Sequence, residues 1–537
     1  MVTKPTRGQH GWDTALNAAL DDLQSQITTN LSAEVFNVLT YGAVGNGASD
    51  DTAAIQAALN AATNAGGGTV FLSAGRTYCV TDYLVPKDNT VVWAYGATVK
   101  AIGNKGILRN FGSAESFTVY NGPSNITIAG GTWDGNASDG VTGTVTNTVN
   151  VFTFGHARNI TVRDAKVTNV SSAHAMDVNA CDTVRILNCR FEGFRDNTGD
   201  ASRPWSEAIQ IDWAITDSGI VGANDNTPCK NILVQGCSFG AGTRLPAFGR
   251  AVGSHTSVNG AWADGIQVLG NRIEGTAQEG VRAYAWKNAV IADNVISGTG
   301  LTGIMITGPD PAVAGYNMPC QYVTVQGNVV AGPASASANA IRVSGFSAAQ
   351  PTGVHIADNT VTGGTATGIF VSQASNPTVA SNQAISPGTS GIYVISCVAP
   401  LVTGNKTVSA GGTAIGVDTC TGGHASGNFV QGGSSHGILI AGGSDISATG
   451  NRVWGVTSSG IRATSTSLRP RITANTVLRN GVSALGIEVT ASATGGMVIG
   501  NDLSGSSWPG GTALSLPGTP ATDWAGGTTN PGNNLVS

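Results

Sequence analysis

The chain has 537 residues, of which 75 are glycine and 11% are charged, and its formal net charge is −5. Globular proteins usually contain about 25% charged residues, so this composition favours a repetitive rod over a set of ordinary compact domains. The negative charge argues against nucleic acid as a partner, and the lack of an apolar run of about eighteen residues argues against membrane insertion.

Residues 1–34 are predicted to form an arm and a helical stem. Apolar positions recur there at intervals of 4, 3 and 4 residues, namely Leu16, Leu20, Leu23 and Ile27, and Asp13 is placed to cap the first turn. A seam this narrow on a short helix is best buried against copies of itself, so we expect a homotrimer. The N-terminus would then dock on phage tail or baseplate proteins. The alternative is a helix folded back onto the rod.

Residues 35–110 contain three motifs in close succession. These are VLTYGAVGNG at 38–47, DDTAAIQAAL at 50–59 and GGGTVFLSAG at 66–75. Together they resemble the N-terminal part of the pectate-lyase-like superfamily, although Asn46 stands where that family usually has Asp. The resemblance implies a right-handed parallel β-helix, in a superfamily that includes polysaccharide-degrading enzymes and phage tailspikes.

The middle motif predicts a helix of about twelve residues that covers the N-terminal end of the solenoid, as a repeat protein requires for solubility. Asp50 and Asp51 precede this helix, and we expect both to cap its free N–H groups. Residues 506–537 lose the repeat and gain Pro and Gly, so we expect them to close the opposite end.

Residues 111–505 are predicted to form the solenoid, with Phe117 in its first coil. Five asparagines recur there every 23 residues, namely Asn359, Asn382, Asn405, Asn428 and Asn451. An Ile-x-Val-like alternation precedes each of them, and no helical period is present. The predicted fold class is therefore all-β, a β-helix of about fourteen coils with about three strands in each coil. We expect the stacked asparagines to hydrogen-bond along the rod.

Earlier in the chain the repeat becomes irregular because of insertions at 193–207, 213–230 and 240–262. Three loops are therefore expected around the same few coils, and they carry aromatic side chains suited to sugar rings: Trp205, Trp213, Phe248 and Trp262, with Trp286 nearby. Seven of the eight cysteines are coil-equivalent, which predicts buried columns whose neighbours could form disulfides. No CxxC pattern is present, and we predict no metal and no cofactor.

Polar residues concentrate on the outward face of the first strand of each coil. One column comprises Asp177, Gln210, Gly253 and Arg282, a second comprises Asn179, Asp212, His255 and Tyr284, and a third comprises His174, Glu207, Arg250 and Glu279. We interpret this face as a groove for a bacterial surface polysaccharide. The predicted substrate-binding residues are His174, Trp205, Gln210, Trp213, Arg250, Trp262, Glu279, Tyr284 and Trp286.

Hydrolysis of a glycosidic bond usually needs two carboxyl groups. We predict Asp212 and Glu207 as the catalytic pair, with Asp177 as a third member. Strand geometry puts Asp177 and Asp212 about 8 Å apart, which falls in the inverting range, and the spread of strand geometry also includes the retaining range. Arg282 and His255 complete the predicted catalytic set, because they can orient substrate or tune the pKa values of the carboxyl groups.

The rival reaction is β-elimination from a uronic acid. His255 or Tyr284 would then act as the base, and Arg282 or Arg250 would neutralise the substrate carboxylate. The coils lack the motifs of the superfamily's polygalacturonases, namely Asn-Thr-Asp, an internal Asp-Asp, Gly-His-Gly and Arg-x-Lys. No catalytic residue is therefore carried over from that family.

The favoured function is that of a phage tailspike-type depolymerase. A signal-peptide pattern is not seen at the N-terminus, so we expect the protein in the virion or otherwise outside the cell. The alternative, without catalysis, is a rod that binds a glycan or receptor.

Overall fold

The structure is a computed structural model, and it describes residues 20–23, 34–215, 222–333, 335–479, 485–504, 513–516 and 534–536. Each coil of the chain contributes one short strand to each of three long parallel sheets, which enclose a common core. We number the sheets in the order in which a coil meets them, beginning with the Ile-x-Val strands.

Within the described residues, sheet 1 contains fifteen strands. They are Leu108–Arg109, Phe152–Gly155, Met176–Asn179, Glu207–Asp212, Arg250–Gly253, Val281–Tyr284, Ile304–Thr307, Ile341–Ser344, Ile369–Ser372, Ile392–Ile395, Ile415–Asp418, Ile438–Ala441, Ser459–Thr464, Leu485–Val489 and Leu514–Ser515. The predicted count of about fourteen coils is close, but sheet 1 begins at Leu108 and Phe117 lies in a loop after it.

Sheets 2 and 3 each contain eighteen strands in the same part of the chain. Sheet 2 comprises Val35–Asn37, Gly68–Phe71, Thr90–Trp93, Ile126–Ala129, Arg158–Arg163, Asp182–Leu187, Lys230–Gln235, Ala263–Asp264, Gln267–Leu269, Trp286–Ala292, Gln321–Gln326, His355–Ala357, Thr378–Ala380, Leu401–Thr403, His424–Ser426, Ser447–Thr449, Arg471–Thr473 and Met497–Ile499. Sheet 3 comprises Asn46–Asp50, Thr77–Val80, Thr98–Ala101, Thr132–Asp134, Lys166–Ser171, Arg190–Arg195, Ser238–Gly240, Arg272–Glu274, Val295–Ser297, Val329–Ala331, Thr360–Thr362, Gln383–Ile385, Lys406–Ala410, Phe429–Gly433, Arg452–Val456, Thr476–Leu478, Asp502–Leu503 and Leu535–Val536.

The predicted asparagine ladder is present in the turn between sheets 2 and 3. The backbone N and Nδ2 of Asn382 both donate to Oδ1 of Asn405, at 2.9 and 3.0 Å. Nδ2 of Asn382 also donates to the carbonyl of Ile356 in the previous coil, at 2.9 Å. The same pattern runs from Asn271 to Asn534, so buried amides that would otherwise destabilise the core are satisfied by their neighbours.

The cysteine columns are buried as predicted, and all eight thiols are free. In one column the backbone N of Cys181 donates to Sγ of Cys229 at 3.4 Å, so stacked thiols act as weak acceptors rather than forming disulfides. Burial raises the pKa of Cys181 to about 12, which leaves this thiol protonated at neutral pH.

The N-terminal end is closed by the helix Thr52–Asn64, which buries Ile55, Ala58, Leu59 and Ala62. Only one of the two predicted caps is correct. Oδ1 of Asp50 accepts from the N of Thr52 at 3.0 Å. Asp51 makes no side-chain bond to the helix, because its carboxylate accepts from the backbone N of Val44, Gly45 and Cys79.

Two other helices are short: the 3₁₀ helix Val38–Tyr41 and the helix Pro311–Ala314. Residues 20–23 of the predicted stem are helical, and the rest of segment 1–33 lies outside the described residues. Leu16 and Ile27 of the predicted trimeric seam thus lie outside the described residues, and the trimer stays a prediction. At the C-terminal end, Leu514–Ser515 and Leu535–Val536 extend sheets 1 and 3. In the part of the chain described, no helix has the length and apolar character needed to cross a bilayer.

Candidate functional site

The register of sheet 1 brings the predicted polar columns together. Asp177 is aligned with Gln210, and Asn179 with Asp212, on neighbouring strands. Gly253 and then Arg282 continue the first column. Successive residues of a strand point to opposite faces, so these side chains share the outward face while Met176, Val178, Ile209 and Ile211 fill the core.

Loops rise along both edges of this part of sheet 1. Residues 196–206 and 241–249 border the edge towards sheet 3, whereas 213–215, 222–229 and 254–262 border the edge towards sheet 2. His156 supports the loop border towards sheet 2. It is fully buried, and its ring nitrogens lie 2.8 Å from the carbonyl oxygen of Val119 and 2.9 Å from that of Ala223. The polar columns therefore form the floor of a groove, which we call the sheet-1 groove.

Asp177 lies near the centre of this floor and keeps only 7% of its surface exposed. Nδ2 of Asn179 donates to Oδ1 at 2.9 Å, and Nδ2 of Asn150 donates to Oδ2 at 2.9 Å. Burial, followed by the nearby Asp212 carboxyl, raises the pKa of Asp177 to about 8. At neutral pH this carboxyl therefore holds a proton.

Asp212 lies on the next strand and is 8% exposed. Its Oδ1 accepts from the backbone N of Trp213 at 2.8 Å and from the Thr256 hydroxyl, and its Oδ2 accepts from Nε2 of Gln210 at 2.6 Å. Burial raises the pKa of Asp212 too, but these donors favour its ionised form. The two carboxyl groups thus differ in environment: Asp212 has three donors and Asp177 has two.

Glu207 lies in the third column and has no exposed surface. Its Oε1 accepts from Nη1 of Arg250 at 3.0 Å, and its Oε2 lies 3.1 Å from Nδ1 of His255 and 3.7 Å from Nδ1 of His174. Burial acts to raise the pKa of Glu207, but the neighbouring histidines and Arg250 outweigh it and lower the pKa to about 2. Because this enclosed carboxylate has no exposed surface, we interpret Glu207 as a buried structural anion.

The two histidines beside Glu207 differ in access to the groove. His174 is buried, its Nδ1 lies 2.8 Å from the carbonyl of Glu207, and burial lowers its pKa to about 3. His255 keeps 21% of its side chain exposed. Its ring lies 4.2 Å from the ring of Trp205, centroid to centroid, and 5.9 Å from that of His174. His255 is thus presented to the groove while Glu207 fixes its orientation.

Arg250 and Arg282 have different roles although they lie on the same face. Arg250 is buried, and its guanidinium donates to Glu207, to Glu279 and to Oε1 of Gln278. Arg282 lies over the ring of Tyr284, at 4.7 Å from its centroid, and no described carboxylate forms an ion pair with it. Burial and the nearby Arg250 lower the pKa of Arg282, and the carboxylates of Glu279 and Glu207 offset this effect in part.

The structure corrects several of the predicted substrate contacts. Trp213 and Trp286 are fully buried, and their indole N–H groups donate to the carbonyl of Ala261 and to Oγ of Ser254. They support the loops from within, as Phe248 also does. His174, Gln210 and Arg250 are buried members of the floor and support their neighbours. The predicted contacts that remain half-buried at the groove are Trp205, Trp262, Glu279 and Tyr284.

Sequence reasoning missed two residues that bind the carboxyl groups, Asn150 and Thr256. Asn150 lies just before Phe152–Gly155, the sheet-1 strand next to that of Asp177. Thr256 lies in an inserted loop, where the repeat does not predict its position. Buried Oδ1 of Asn179 has no hydrogen-bond donor within the described residues, which leaves an acceptor beside Asp177 for a hydroxyl group. Among those residues, no group of three or more His, Cys, Asp or Glu is placed to hold a metal ion.

Two family models match the chain in different halves. "Rhamnogalacturonase A/epimerase, pectate lyase-like" matches residues 35–246, and "Right handed beta helix region" matches residues 316–446 and 367–519. The predicted resemblance is confirmed: this is a right-handed parallel β-helix of the pectate-lyase-like type.

Individual relatives of this β-helix match only part of their own length. "Plasmin and fibronectin-binding protein A" of Streptococcus pneumoniae is 27% identical over 278 residues, 48% of this chain and 38% of that protein. Mannuronan C5-epimerase AlgE3 of Azotobacter vinelandii is 59% identical over 56 residues, 10% of this chain and 3% of the epimerase. The chain thus spans less than half of either relative.

Among solved structures, the S. pneumoniae surface protein and adhesin PfbA superposes with a TM-score of 0.56 at 18% identity. The superposition covers 85% of this chain and 99% of the PfbA chain. It supports the shared β-helix fold.

Proposed function

We propose that this β-helix hydrolyses glycosidic bonds of a bacterial surface polysaccharide in the sheet-1 groove. The observation that carries the proposal is the pair Asp177 and Asp212, two nearly buried carboxyl groups with raised pKa values on adjacent strands of one face. Paired titratable groups in different environments are the usual basis for acid and base roles. The match to a pectate-lyase-like family model supports a polysaccharide as substrate.

In this mechanism Asp177 acts as the general acid, because it holds its proton at neutral pH. It donates that proton to the glycosidic oxygen as the bond from this oxygen to the anomeric carbon breaks. Asp212, whose carboxylate accepts from three donors, removes a proton from a water molecule whose oxygen forms the new bond to that carbon. The products are two shorter chains, one with a new reducing end, and the proton on Asp212 returns to Asp177 through solvent.

The register predicts the stereochemical outcome. Asp177 and Asp212 are one strand and two residues apart, which corresponds to about 8 Å between their Cα atoms. Carboxyl groups about 6.5–9.5 Å apart leave room for a water molecule and give inversion. We therefore propose an inverting hydrolase. His255, oriented by Glu207, and Arg282 would position the substrate.

A specific observation favours one second candidate, β-elimination from a uronic acid. Glu207 orients His255 towards the groove as a base, and Arg282, which forms no ion pair with a described carboxylate, offers a cation for the substrate carboxylate. The epimerase relative, whose name specifies mannuronan, supports an acidic sugar. In this reading His255 would remove the proton next to the carboxylate, while Asp177 would protonate the leaving oxygen.

The biological setting follows from the predicted stem. We propose a homotrimeric spike, in the virion or at a cell surface, that degrades the glycan it binds. A non-catalytic rod is the other possibility, and the name of the S. pneumoniae relative, a protein that binds plasmin and fibronectin, supports it. The resemblance to an adhesin structure supports only the shared fold.

Product analysis separates these functions. Bacterial capsular and wall glycans, alginate and polygalacturonate would be incubated with wild-type protein and with Asp177→Asn and Asp212→Asn. New reducing ends without unsaturated uronate absorbance, lost in both variants, indicate the hydrolase. Unsaturated ends that depend on His255 indicate the lyase. Binding of a glycan without any product identifies a binding protein and contradicts the proposed enzymatic function.

A further inference from the structure

The outward column of sheet 1 continues well beyond the carboxyl groups. From Arg282 the register leads through Met305 to Arg342, and then to Phe370 and Tyr393. These residues lie on the same outward face as Asp177, several coils further along the rod. The groove floor is therefore one end of a longer continuous surface.

Phe370 and Tyr393 form an ordered aromatic platform on this surface. Their rings are parallel within 4°, with centroids 6.4 Å apart, and both are half-buried. The Tyr393 hydroxyl lies 2.7 Å from Oδ2 of Asp418 and donates to it, which fixes the ring. A Cβ atom at Gly416 would lie 2.4 Å from a Tyr393 ring carbon, so the glycine allows the ring to lie flat over the next strand.

An arginine side chain lies beside the Phe370 ring. The Arg342 guanidinium lies 5.4 Å from the centroid of the Phe370 ring, and its buried Nε has no hydrogen-bond acceptor within the described residues. Neither Arg342 nor Arg282 forms an ion pair with a described carboxylate. The Arg342 guanidinium beside flat aromatic rings complements sugar rings that carry carboxylates.

We propose that Arg342, Phe370 and Tyr393 form a distal subsite for the same polysaccharide chain that is cleaved at Asp177 and Asp212, and that this chain is anionic. The inference rests on the proposed function for the identity of the bound chain. Phe370 lies five strands beyond the strand of Asp212, or about 24 Å, and Tyr393 lies one strand further. A ligand that spans this distance contains several sugars, so the subsite selects long chains over short fragments.

The test compares long and short substrates. Phe370→Ala, Tyr393→Ala and Arg342→Gln are each expected to raise KM for an anionic polymer about tenfold and to leave the cleavage of short oligosaccharides unchanged. Tyr322→Ala is the matched control, because Tyr322 is an exposed aromatic side chain on sheet 2. Equal losses on long and short substrates, or none on either, would overturn the proposal.

A binding measurement keeps this inference separate from catalysis. Affinity electrophoresis would compare alginate, polygalacturonate and neutral dextran with the full chain carrying Asp212→Asn. Retardation by an anionic polymer that Tyr393→Ala weakens supports the distal subsite even if no glycan is ever cleaved, in which case only the proposed hydrolysis fails. Retardation by dextran alone, or by none of the three, contradicts it. A Tyr393→Ala protein that loses an oligomeric state on sizing assigns the platform to contact between copies and likewise contradicts it.

Discussion

Oε2 of Glu207 lies 3.1 Å from Nδ1 of His255, and this contact joins the buried third column of sheet 1 to the open groove. Glu207 is enclosed by His174, His255 and Arg250, whereas His255 retains exposed surface against Trp205. Glu207 is thus a buried anion, and His255 is a side chain of the groove that Glu207 orients. This division implies that substitutions at the two positions have different consequences.

Glu207→Gln is expected to lower the free energy of unfolding by about 3 kcal/mol, because it leaves the buried Arg250 without a charged partner on one side. The folded-state pKa of Glu207, about 2, lies below the unfolded value of about 4.3. Its stabilisation is therefore present above about pH 4.3 and is lost as the pH falls towards 2. Denaturant unfolding of wild type and variant across this window measures the effect.

His255→Gln is the matched control for Glu207, since it removes the groove partner and keeps the buried carboxylate paired with Arg250. We expect it to reduce activity with little change in stability. A Glu207→Gln protein as stable as wild type at neutral pH would contradict the assignment of Glu207 as a buried structural anion.

Asp177→Asn should remove the acid and lower kcat by about two orders of magnitude or more. Wild-type activity is expected to decline above about pH 8, where Asp177 loses its proton, and at low pH, where Asp212 gains one. Because the folded pKa of Asp177 lies above the unfolded value of about 3.9, wild-type stability should fall as the pH rises from about 4 to 8. The variant should lose this slope, and an unchanged slope would contradict the raised pKa.

The sequence predicts the regular features of this molecule well because a solenoid converts spacing in the chain into position in space. Asn382 and Asn405 are 23 residues apart and hydrogen-bond directly. The alignment of Asp177 beside Gln210 and of Asn179 beside Asp212 follows from the Ile-x-Val-like alternation of the sheet-1 strands, although an insertion separates them.

What the sequence does not predict is the burial that the loops impose. Alternation along a strand places Glu207 on the outward face of sheet 1, but it does not predict His174 and His255, which enclose it from the flanking loops. The partners of Asp51 were missed for a related reason: Val44 and Cys79 contact it through the folding of the cap, which lies outside the repeat. Function-bearing insertions interrupt the period, so prediction is weakest where the groove is built.

Asn405→Ala tests the ladder. The substitution removes the Oδ1 acceptor of Asn382 and the donor to the carbonyl of Val379, so two buried polar groups of the preceding coil lose a partner. We expect the free energy of unfolding to fall by about 3 kcal/mol. Gln383→Ala, at an exposed position beside Asn382, is the control and should change it by less than about 0.5 kcal/mol. Equal effects of the two would show that the stacked amides add no stability.

The last prediction concerns the two aspartates at the N-terminal end. Asp51 is 1% exposed, and its carboxylate accepts from the N of Val44 at 2.6 Å and from the N of Gly45 at 3.2 Å. Asp51→Ala should therefore leave buried N–H groups unsatisfied and destabilise the end cap by about 3 kcal/mol. Asp50 is exposed and accepts from the first N–H of the helix, so Asp50→Ala should cost about 1 kcal/mol, as the loss of an N-cap does. Hydrogen exchange of helix Thr52–Asn64 in both variants measures the difference in stability of the end cap. A larger effect of Asp50→Ala would mean that helix capping, rather than the hydrogen bonds from Val44 and Gly45 to Asp51, stabilises this end.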